Sequence, residues 1–307
     1  MQYLYMASES ILRAATYVPK GGVGKTTTAA HMAVVAHRIH DLRTVIVDLA
    51  GKQNDLALQF GIHQDIFPNA DPEDLAASTE DVEDNIEAPI SAVFGEDWDF
   101  IHENIPDIVD RMVFETGEGP DLIPADPGLG GADNNLANVP REDRFHKLER
   151  FVSEDLAPEY DLVFFDLPGK EDNIALNGLF AASNTVVPLK PGKFERRQLA
   201  TLHADLKAIR DEYEGVSPEV KLVFATMYRR GRNLSQNFLE EIEGRFPDVV
   251  GEHIVDTQNI GNEQFEGQTL FALDESDLYS TGREAQEAYR KNTELLLERI
   301  ADRPTPQ

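Results

Sequence analysis

Short apolar runs alternate with longer amphipathic stretches along most of this chain. The apolar runs cover residues 11–18, 44–47, 121–123, 161–166, 185–189 and 221–226, and the helical stretches include residues 26–40, 141–151 and 281–300. A strand buried on both faces of a sheet is apolar throughout, whereas a helix packed on a sheet is apolar on one side. Strands that alternate with helices form mostly parallel sheets. The pattern therefore predicts an α/β fold with a mostly parallel sheet flanked by helices.

Two stretches depart from this alternation. An acidic variable segment at about residues 62–120 keeps large apolar residues, among them Ile90, Trp98 and Ile108. A mixture of acidic and large apolar residues is typical of short amphipathic helices packed on a sheet, and we expect Trp98 to lie in the core. Residues 128–138 are rich in Gly, Asp and Asn, which predicts a mobile loop.

The chain of 307 residues is long enough for one large α/β domain with a sizeable core. We expect a single domain over residues 11–303, with an N-terminal extension of residues 1–10 and a tail of residues 304–307. The sequence contains no apolar run long enough to span a bilayer and no signal peptide. It therefore predicts a cytoplasmic protein.

A glycine-rich loop separates the first apolar run from the first helical stretch. It consists of Lys20, Gly21, Gly22, Val23, Gly24, Lys25, Thr26 and Thr27. A strand, a glycine loop and a helix in this order are typical of a phosphate-binding loop, in which backbone N–H groups and the helix N-terminus bind phosphate oxygens. In such a loop Lys25 reaches the β- and γ-phosphates, Thr26 offers its hydroxyl to Mg²⁺, and Thr27 lies near the α-phosphate. The alternative is a glycine-rich turn with two solvated lysines.

Two later apolar runs end in an aspartate, at Asp48 and at Asp166. The carboxyl ends of parallel strands lie at the edge of the sheet where ligands bind. We therefore expect Asp166 to hold Mg²⁺ through a water molecule, because Mg²⁺ keeps part of its hydration shell in proteins. A helix cap is the alternative role for such an aspartate.

The string K-G-G-x-G-K-T-T at residues 20–27 resembles the deviant phosphate loop (deviant Walker A) of the ParA/MinD ATPases, which carries a second lysine at its start. The resemblance implies ATP and Mg²⁺ as cofactors. It also implies a homodimer that closes face to face over two nucleotides, in which Lys20 contacts the partner's nucleotide. Together with Mg²⁺, Lys20 and Lys25 would stabilise the transferred phosphoryl group, and Asp48 would lie near the metal.

Residues 226–235 resemble the T-M-Y…R-x-N-L-S stretch of chromosome and plasmid partition ATPases. The resemblance implies adenine contacts from Thr226, Met227 and Asp256. It also implies non-specific DNA binding through basic residues, and a ParB-like partner that stimulates hydrolysis. The candidate DNA-binding residues are Arg196, Arg197, Arg229, Arg230 and Arg232. The alternative is that these arginines pair with neighbouring carboxylates.

The chain departs from the ParA/MinD pattern at Ala50. In that family the strand ends in D-x-D, and the second aspartate orients the attacking water, whereas the string here is Asp48-Leu49-Ala50. Three explanations are open. The substitution was engineered to trap the ATP-bound state, the chain is a natural variant that hydrolyses slowly or uses another residue, or Asp55 or Gln53 supplies the function. Loss of a water-orienting group costs about 10²–10⁴ in rate.

Composition narrows the choice of class. The chain has no cysteine, which excludes disulfides, iron–sulfur clusters and zinc-thiolate sites, and hence the iron–sulfur proteins that share the deviant loop. Its 56 acidic and 28 basic residues give a formal net charge of -28. Such a charge is typical of salt-in halophiles and indicates a halophilic archaeon; an ordinary acidic protein with a disordered acidic tail is the alternative. The charge also repels DNA, so only a concentrated basic patch would bind it.

We therefore expect a ParA-like ATPase that associates with the nucleoid and acts in chromosome or plasmid partition. One alternative is a MinD-like positioning ATPase. MinD ends in a basic amphipathic helix that anchors it to membrane, whereas a stub broken by prolines stands here at residues 303–307, which favours DNA over membrane. The other alternative is a nucleotide-binding scaffold that hydrolyses little or no ATP. Ala50 favours this alternative because it replaces the aspartate that orients the attacking water in the ParA/MinD pattern.

Overall fold

The computed structural model describes residues 11–50, 54–68, 86, 88–192, 195–212 and 218–301, without the side chains of residues 141, 142, 195–199 and 205. The expected extension and tail lie outside the described residues, as do Gln53 and the side chains of Arg196 and Arg197. None of the helices in the described ranges combines the length and the apolar composition that a membrane span requires.

Seven strands of the described chain form one sheet. They are β1 (Leu12–Thr16), β2 (Thr44–Asp48), β3 (Phe114–Glu115), β4 (Asp121–Ile123), β5 (Leu162–Asp166), β6 (Asn184–Leu189) and β7 (Glu219–Ala225). Their order across the sheet is β3-β4-β2-β5-β1-β6-β7. All neighbouring strands run parallel except β3 and β4, which are antiparallel. The predicted mostly parallel sheet is confirmed, and each apolar run of the sequence supplies one strand.

Helices cover both faces of this sheet. They are α1 (Lys25–His40), α2 (Asp55–Gln59), α3 (His63–Ile66), α4 (Trp98–Asn104), α5 (Leu129–Leu136), α6 (Arg141–Arg144), α7 (Lys147–Phe151), α8 (Asn173–Ala182), α9 (Glu195–Glu212), α10 (Asn233–Arg245), α11 (Gln258–Glu266) and α12 (Ser280–Ala301). Successive strand residues point to opposite faces, so Phe164 belongs to the core cluster that contains residues of α1 and α12, while Phe165 belongs to the cluster on the other face with residues of α8, α9 and α10. The helices therefore form two outer layers around a sheet in which strands β2, β5 and β6 are buried throughout.

The prediction of a mobile loop at residues 128–138 is wrong, because helix α5 occupies most of this stretch. Leu129, Ala132 and Leu136 are buried at the i, i+3, i+7 spacing of a helix that packs on one side. The carboxylate of Asp126 accepts the N–H of the residue just before the helix at 2.8 Å. Apolar spacing and packing thus outweigh the low helix propensity of Gly, Asn and Asp here.

The helix predicted over residues 141–151 is interrupted between α6 and α7. The buried side chain of Asn177 binds the backbone at this break. Its Nδ2 donates to the carbonyl of Arg144 at 3.0 Å, and its Oδ1 accepts the N–H of Leu148 at 3.5 Å. The amide therefore replaces hydrogen bonds that a continuous helix would have made.

Besides α3 and β3, the described part of the acidic segment contains helix α4 and two short 3₁₀ turns, Ile90–Phe94 and Asp110–Met112. Trp98 lies in the core as predicted, with its ring 5.8 Å from that of Phe151. Phe100 of the same helix is 69% exposed. The prediction of short helices that pack on the sheet is therefore confirmed in part, because Trp98 is buried whereas Phe100 of the same helix is not.

Candidate functional site

Three neighbouring parallel strands, β1, β2 and β5, end side by side at one edge of the sheet. The strand register pairs Asp48 directly with Asp166, and Asp166 with Thr16. The glycine loop that joins β1 to α1 lies at the same edge. The topology therefore brings together the two strand-ending aspartates and the loop that the sequence singled out separately.

The glycine loop has the backbone conformation that its glycines allow. Gly22 and Gly24 adopt φ angles of 69° and 86°, in the left-handed region that glycine enters without steric cost. Helix α1 begins at Lys25, directly after the second of these turns. The first N–H groups of an α-helix have no acceptor within the helix, and the helix dipole adds partial positive charge there. This end of α1 is suited to an anion such as a phosphate group.

Lys25 is buried inside the loop that it terminates. Its Nζ donates to the carbonyl oxygen of Lys20 at 2.8 Å. Burial lowers the pKa of Lys25, and the nearby charge of Asp166 partly offsets this effect. Gly169, in the turn after β5, packs against both lysines, since a Cβ there would lie 3.0 Å from the Lys20 carbonyl oxygen and 3.2 Å from Lys25 Nζ. Glycine therefore lets this turn approach the loop closely.

Asp166 is fully buried between two threonine hydroxyls. Thr16 Oγ1 donates to its Oδ1 at 2.9 Å, and Thr26 Oγ1 donates to its Oδ2. Burial raises the pKa of Asp166 to about 6, against the opposing effects of the two hydroxyls and of Lys25. The charge of Asp55 raises this pKa further. The two hydroxyls thus hold the Asp166 carboxylate in place, but their hydrogen bonds and the charge of Lys25 do not fully offset its burial.

Asp48 is buried beside Asp166. Burial and the charge of Asp166 raise the pKa of Asp48 well above its ordinary value. The N–H of Ala50 donates to Asp48 Oδ1 at 2.9 Å, and this bond and one from the N–H of Leu56 oppose the shift. Asp55 adds a further unfavourable charge. Two neighbouring acidic side chains in this environment favour a cation between them.

The oxygen donors at this edge fit Mg²⁺. Asp48 and Asp166 supply carboxylate oxygens, and Thr26 supplies a hydroxyl that already contacts Asp166. Mg²⁺ prefers oxygen ligands and is commonly held by one or two carboxylates together with substrate phosphates. A divalent cation here would offset the repulsion and burial that raise both pKa values.

Of the three residues predicted to contact adenine, Thr226 makes a direct hydrogen bond with the loop. Thr226 is buried, and its Oγ1 donates to the carbonyl of Val23 at 2.8 Å. Met227 follows with a left-handed φ of 50° and a partly exposed side chain. The carboxylate of Asp256 instead accepts a hydrogen bond from Arg229 at 2.6 Å. Thr226 therefore supports the loop directly, whereas Asp256 is engaged with a neighbouring arginine.

The sequence reading missed two polar groups of the site. Thr16 ends β1 and donates a hydrogen bond to Asp166, and it is a polar residue within the apolar run of residues 11–18, which is the signal in the sequence for such a role. Gln264 of α11 donates from Nε2 to Thr27 Oγ1 at 2.8 Å. Nothing in the local sequence indicates this second contact, because the two residues are far apart along the chain and meet only in the folded protein.

The family model described as "AAA domain" (AAA_31) matches residues 14–217, a range that contains the loop and both aspartates. The chain belongs to this family. Among the curated relatives of this AAA domain protein is the chromosome partitioning protein ParA of Myxococcus xanthus, 28% identical over 243 residues, which covers 77% of this chain and 72% of the relative. The chromosome-partitioning ATPase Soj of Thermus thermophilus is 28% identical over 248 residues, covering 80% and 81% of the two chains. These relatives support the assignment to the ParA/MinD class of P-loop proteins.

Solved structures agree with this AAA domain fold. An Asp-to-Ala variant of McdA from Cyanothece, solved as an ATP complex, matches with a TM-score of 0.69 at 16% identity and covers 98% of this chain and 100% of its own. Cobyrinic acid a,c-diamide synthase from Mycobacterium smegmatis, solved with an ATP analogue and magnesium, matches with a TM-score of 0.65 at 22% identity and covers 94% and 95%. At these low sequence identities, the matches show a similarity of fold alone.

The candidate DNA-binding arginines of this AAA domain protein lie partly in ion pairs. Arg229 pairs with Asp256 at 2.6 Å, and Arg230 pairs with Glu284 at 2.9 Å. Arg232 is exposed at the start of α10. The alternative that the arginines pair with carboxylates therefore holds for two of them. Exposed ion pairs contribute little to stability, so replacing the carboxylate partner of such an arginine by another anion costs little free energy.

Proposed function

We propose that this AAA domain protein is a ParA-type ATPase with a deviant Walker A loop. It would bind ATP and Mg²⁺, close into a homodimer around two nucleotides, bind DNA non-specifically and act in chromosome or plasmid partition. The observation that carries the proposal is the glycine loop, with Lys20 and Lys25, beside the buried pair of Asp48 and Asp166. The names of the ParA and Soj relatives support the cellular role.

In this proposal the N–H groups at the start of α1 and the ammonium group of Lys25 bind the phosphates of ATP. Lys20 of each subunit contacts the nucleotide of the other subunit. Thr26, Asp48 and Asp166 hold Mg²⁺, which supplies positive charge to the phosphoryl oxygens. Thr226, Met227 and Asp256 contact the adenine. Stabilisation of the charge on the transferred phosphoryl group then accounts for most of the catalysis, which releases ADP and phosphate.

The proposed DNA-binding residues are Arg196, Arg197, Arg229, Arg230 and Arg232. A net charge of -28 opposes DNA binding, so we propose that two such clusters in one dimer are needed. A ParB-like partner would stimulate hydrolysis and release the DNA. The acidic surface suits the cytoplasm of a halophilic archaeon, where the protein would associate with the nucleoid.

ATP hydrolysis in molar KCl with Mg²⁺ tests the catalytic part of the proposal. Lys25→Met is expected to lower kcat about 10²–10³-fold, because it removes a buried positive charge and keeps the side-chain volume. Lys207→Met is the matched control, since the Lys207 side chain is 71% exposed on α9. Equal loss in both variants, or no loss for Lys25→Met, would contradict the assignment of Lys25.

Phe265 offers a test of the proposed homodimer. It is 88% exposed at the end of α11, directly after Gln264, which binds Thr27 of the loop. Large exposed aromatic side chains are enriched at protein interfaces. Phe265→Ser is expected to weaken ATP-dependent dimerisation at least about tenfold, measured by light scattering after size exclusion. Phe100→Ser, at a 69% exposed position on α4, is expected to have no effect. If the two variants dimerise equally well in the presence of ATP, the dimer interface does not include Phe265.

A nucleotide-binding scaffold is the second candidate function, because the side chain of Ala50 has no hydrogen-bonding atom with which to orient water. Binding of ATP and dimerisation without hydrolysis, also in the presence of DNA and partner, would support it.

A further inference from the structure

Hydrolysis of ATP requires a group that orients the attacking water. Ala50 offers its backbone alone for this purpose, and its N–H is already donated to Asp48 Oδ1 at 2.9 Å. Other polar groups at the site are similarly engaged. Thr16 and Thr26 donate to Asp166, and Lys25 donates to a loop carbonyl. For the proposed ATPase, we therefore look for the group that orients water at another position.

Asp55 lies beside the buried carboxylates. It is the first residue of α2 and follows Asn54, whose left-handed φ of 48° turns the chain into the helix. The next residue, Leu56, donates its N–H to the carboxylate of Asp48. The backbone of Asp55 is thus adjacent to a group in direct contact with Asp48.

Asp55 is exposed to solvent, in contrast to the two fully buried aspartates, but the surrounding protein still raises the pKa of its carboxyl group by burial. It also lies close enough to both Asp48 and Asp166 for its charge to act on each of them. A carboxylate that solvent can reach beside this buried pair can accept a hydrogen bond from a water molecule that enters the site.

Another acidic residue, Asp126, follows strand β4 at this edge of the sheet and has a structural role. Its Oδ1 accepts the hydroxyl of Ser91 and the N–H of Gly128, and its Oδ2 accepts the N–H of Ser91. Asp126 is also buried. Asp55 is therefore better placed than Asp126 to bind a water molecule.

We propose that Asp55 accepts a hydrogen bond from the attacking water and orients it, in place of a carboxylate at Ala50. The inference rests on the proposed ATPase function. The water oxygen forms a bond to the γ-phosphorus as the bond from that phosphorus to the bridging oxygen breaks. The electron pair of the broken bond remains on ADP, and one water proton passes to an oxygen of the released phosphate. Asp55 is unchanged at the end of the step.

The test compares wild type, Asp55→Asn, Ala50→Asp and the double variant by steady-state ATP hydrolysis in molar KCl with Mg²⁺. Asp55→Asn is expected to lower kcat about 10²-fold, with the affinity for a fluorescent ATP analogue unchanged within about a factor of two. Ala50→Asp supplies the carboxylate that the ParA/MinD pattern has at this position. In the Asp55→Asn background it is expected to restore most of the lost rate, which a merely structural role of Asp55 would not allow.

Asp65→Asn is the matched control, because Asp65 is exposed on the neighbouring helix α3. The inference is wrong if Asp55→Asn retains the wild-type kcat, or if it loses nucleotide affinity as well as rate. If the wild type binds ATP and dimerises but does not hydrolyse it, the inference fails while the switch function stands. If the wild type does not bind ATP, the proposed function itself fails.

Discussion

Replacing Asp166 by Asn is expected to stabilise the nucleotide-free protein and, at the same time, to lower Mg²⁺-dependent ATP hydrolysis about 10³-fold. The loss of activity follows from the removal of one of two carboxylates that fit Mg²⁺. The gain in stability follows because burying the charged Asp166 carboxylate next to Asp48 is unfavourable. The hydrogen bonds from the two threonine hydroxyls do not offset this burial, since the pKa of Asp166 is raised to about 6. We expect a gain of about 1–3 kcal/mol at pH 7.5.

The pH dependence of this gain has a definite sign. The pKa of Asp166 rises from 3.8 in the unfolded chain to about 6 in the folded protein. Between these values the folded state binds more protons than the unfolded state, so wild-type stability falls as the pH rises. The stability advantage of Asp166→Asn should therefore be absent below about pH 4 and complete above about pH 6.

Urea unfolding of the apo proteins at pH 4 and at pH 7.5 measures this effect. Asp161→Asn is the control, because Asp161 stands at the other end of the same apolar run and forms an exposed pair with Arg43, which lowers the pKa of Asp161. That variant is expected to be slightly less stable than wild type near neutral pH. A destabilised Asp166→Asn at pH 7.5 would mean that its hydrogen bonds outweigh its burial.

The two buried carboxylates lower the stability of the nucleotide-free protein, because burial raises the pKa of both and the charge of Asp166 raises that of Asp48 further. Neither Asp48 nor Asp166 makes an ion pair that would neutralise it within the described chain, although Lys25 lies close to Asp166. A ligand that binds the folded state stabilises it, and this free energy can offset the unfavourable burial of two neighbouring carboxylates. ATP and Mg²⁺ should therefore stabilise the wild type more than the Asp166→Asn variant.

The strands and the loop could be predicted because their signals are local. Each central strand is an apolar run, and the glycine loop must adopt left-handed angles that its own sequence permits, as at Gly24. Parallel topology then brings strand ends together, so Asp48 and Asp166 could be assigned to one site. Helix α5 was missed because packing of three apolar side chains overrides unfavourable local propensity.

Contacts between distant segments could not be predicted in the same way. Gln264 reaches Thr27 from a helix near the C-terminal end, and nothing in either local sequence specifies the pair. The same holds for Asn177, which fills a break between two helices that the apolar pattern presents as one. Such polar contacts depend on the relative placement of whole helices, which periodicity along the chain does not encode.

Replacing His31 is expected to have the second large effect, which concerns the stability of the protein rather than its activity. It lies fully buried in α1, one turn after Thr27. Its Nδ1 donates to the carbonyl of Thr27 at 2.7 Å, and its Nε2 accepts the N–H of Leu270 at 3.2 Å. Its ring stacks on Tyr289 of α12 at a centroid distance of 4.6 Å. His31→Ala is expected to cost about 3–5 kcal/mol, because it leaves a cavity and an unpaired N–H.

These contacts require a neutral imidazole. Burial lowers the pKa of His31 from 6.5 to about 4, against the opposing effect of the Thr27 carbonyl. The unfolded chain binds the proton more tightly, so the stability that His31 contributes is complete above about pH 6.5 and is lost as the pH falls towards 4. At pH 5 the loss amounts to about 2 kcal/mol.

His31→Gln isolates this effect, because an amide keeps one donor and one acceptor but does not titrate. The variant is expected to be less stable than wild type at pH 7.5, since it lacks the ring that stacks on Tyr289. Other titrating groups act equally in both proteins, so the difference in unfolding free energy should shrink by about 2 kcal/mol between pH 7.5 and pH 5. Urea titrations at the two pH values measure that difference. A constant difference would mean that His31 is protonated as readily in the folded protein as in the unfolded chain.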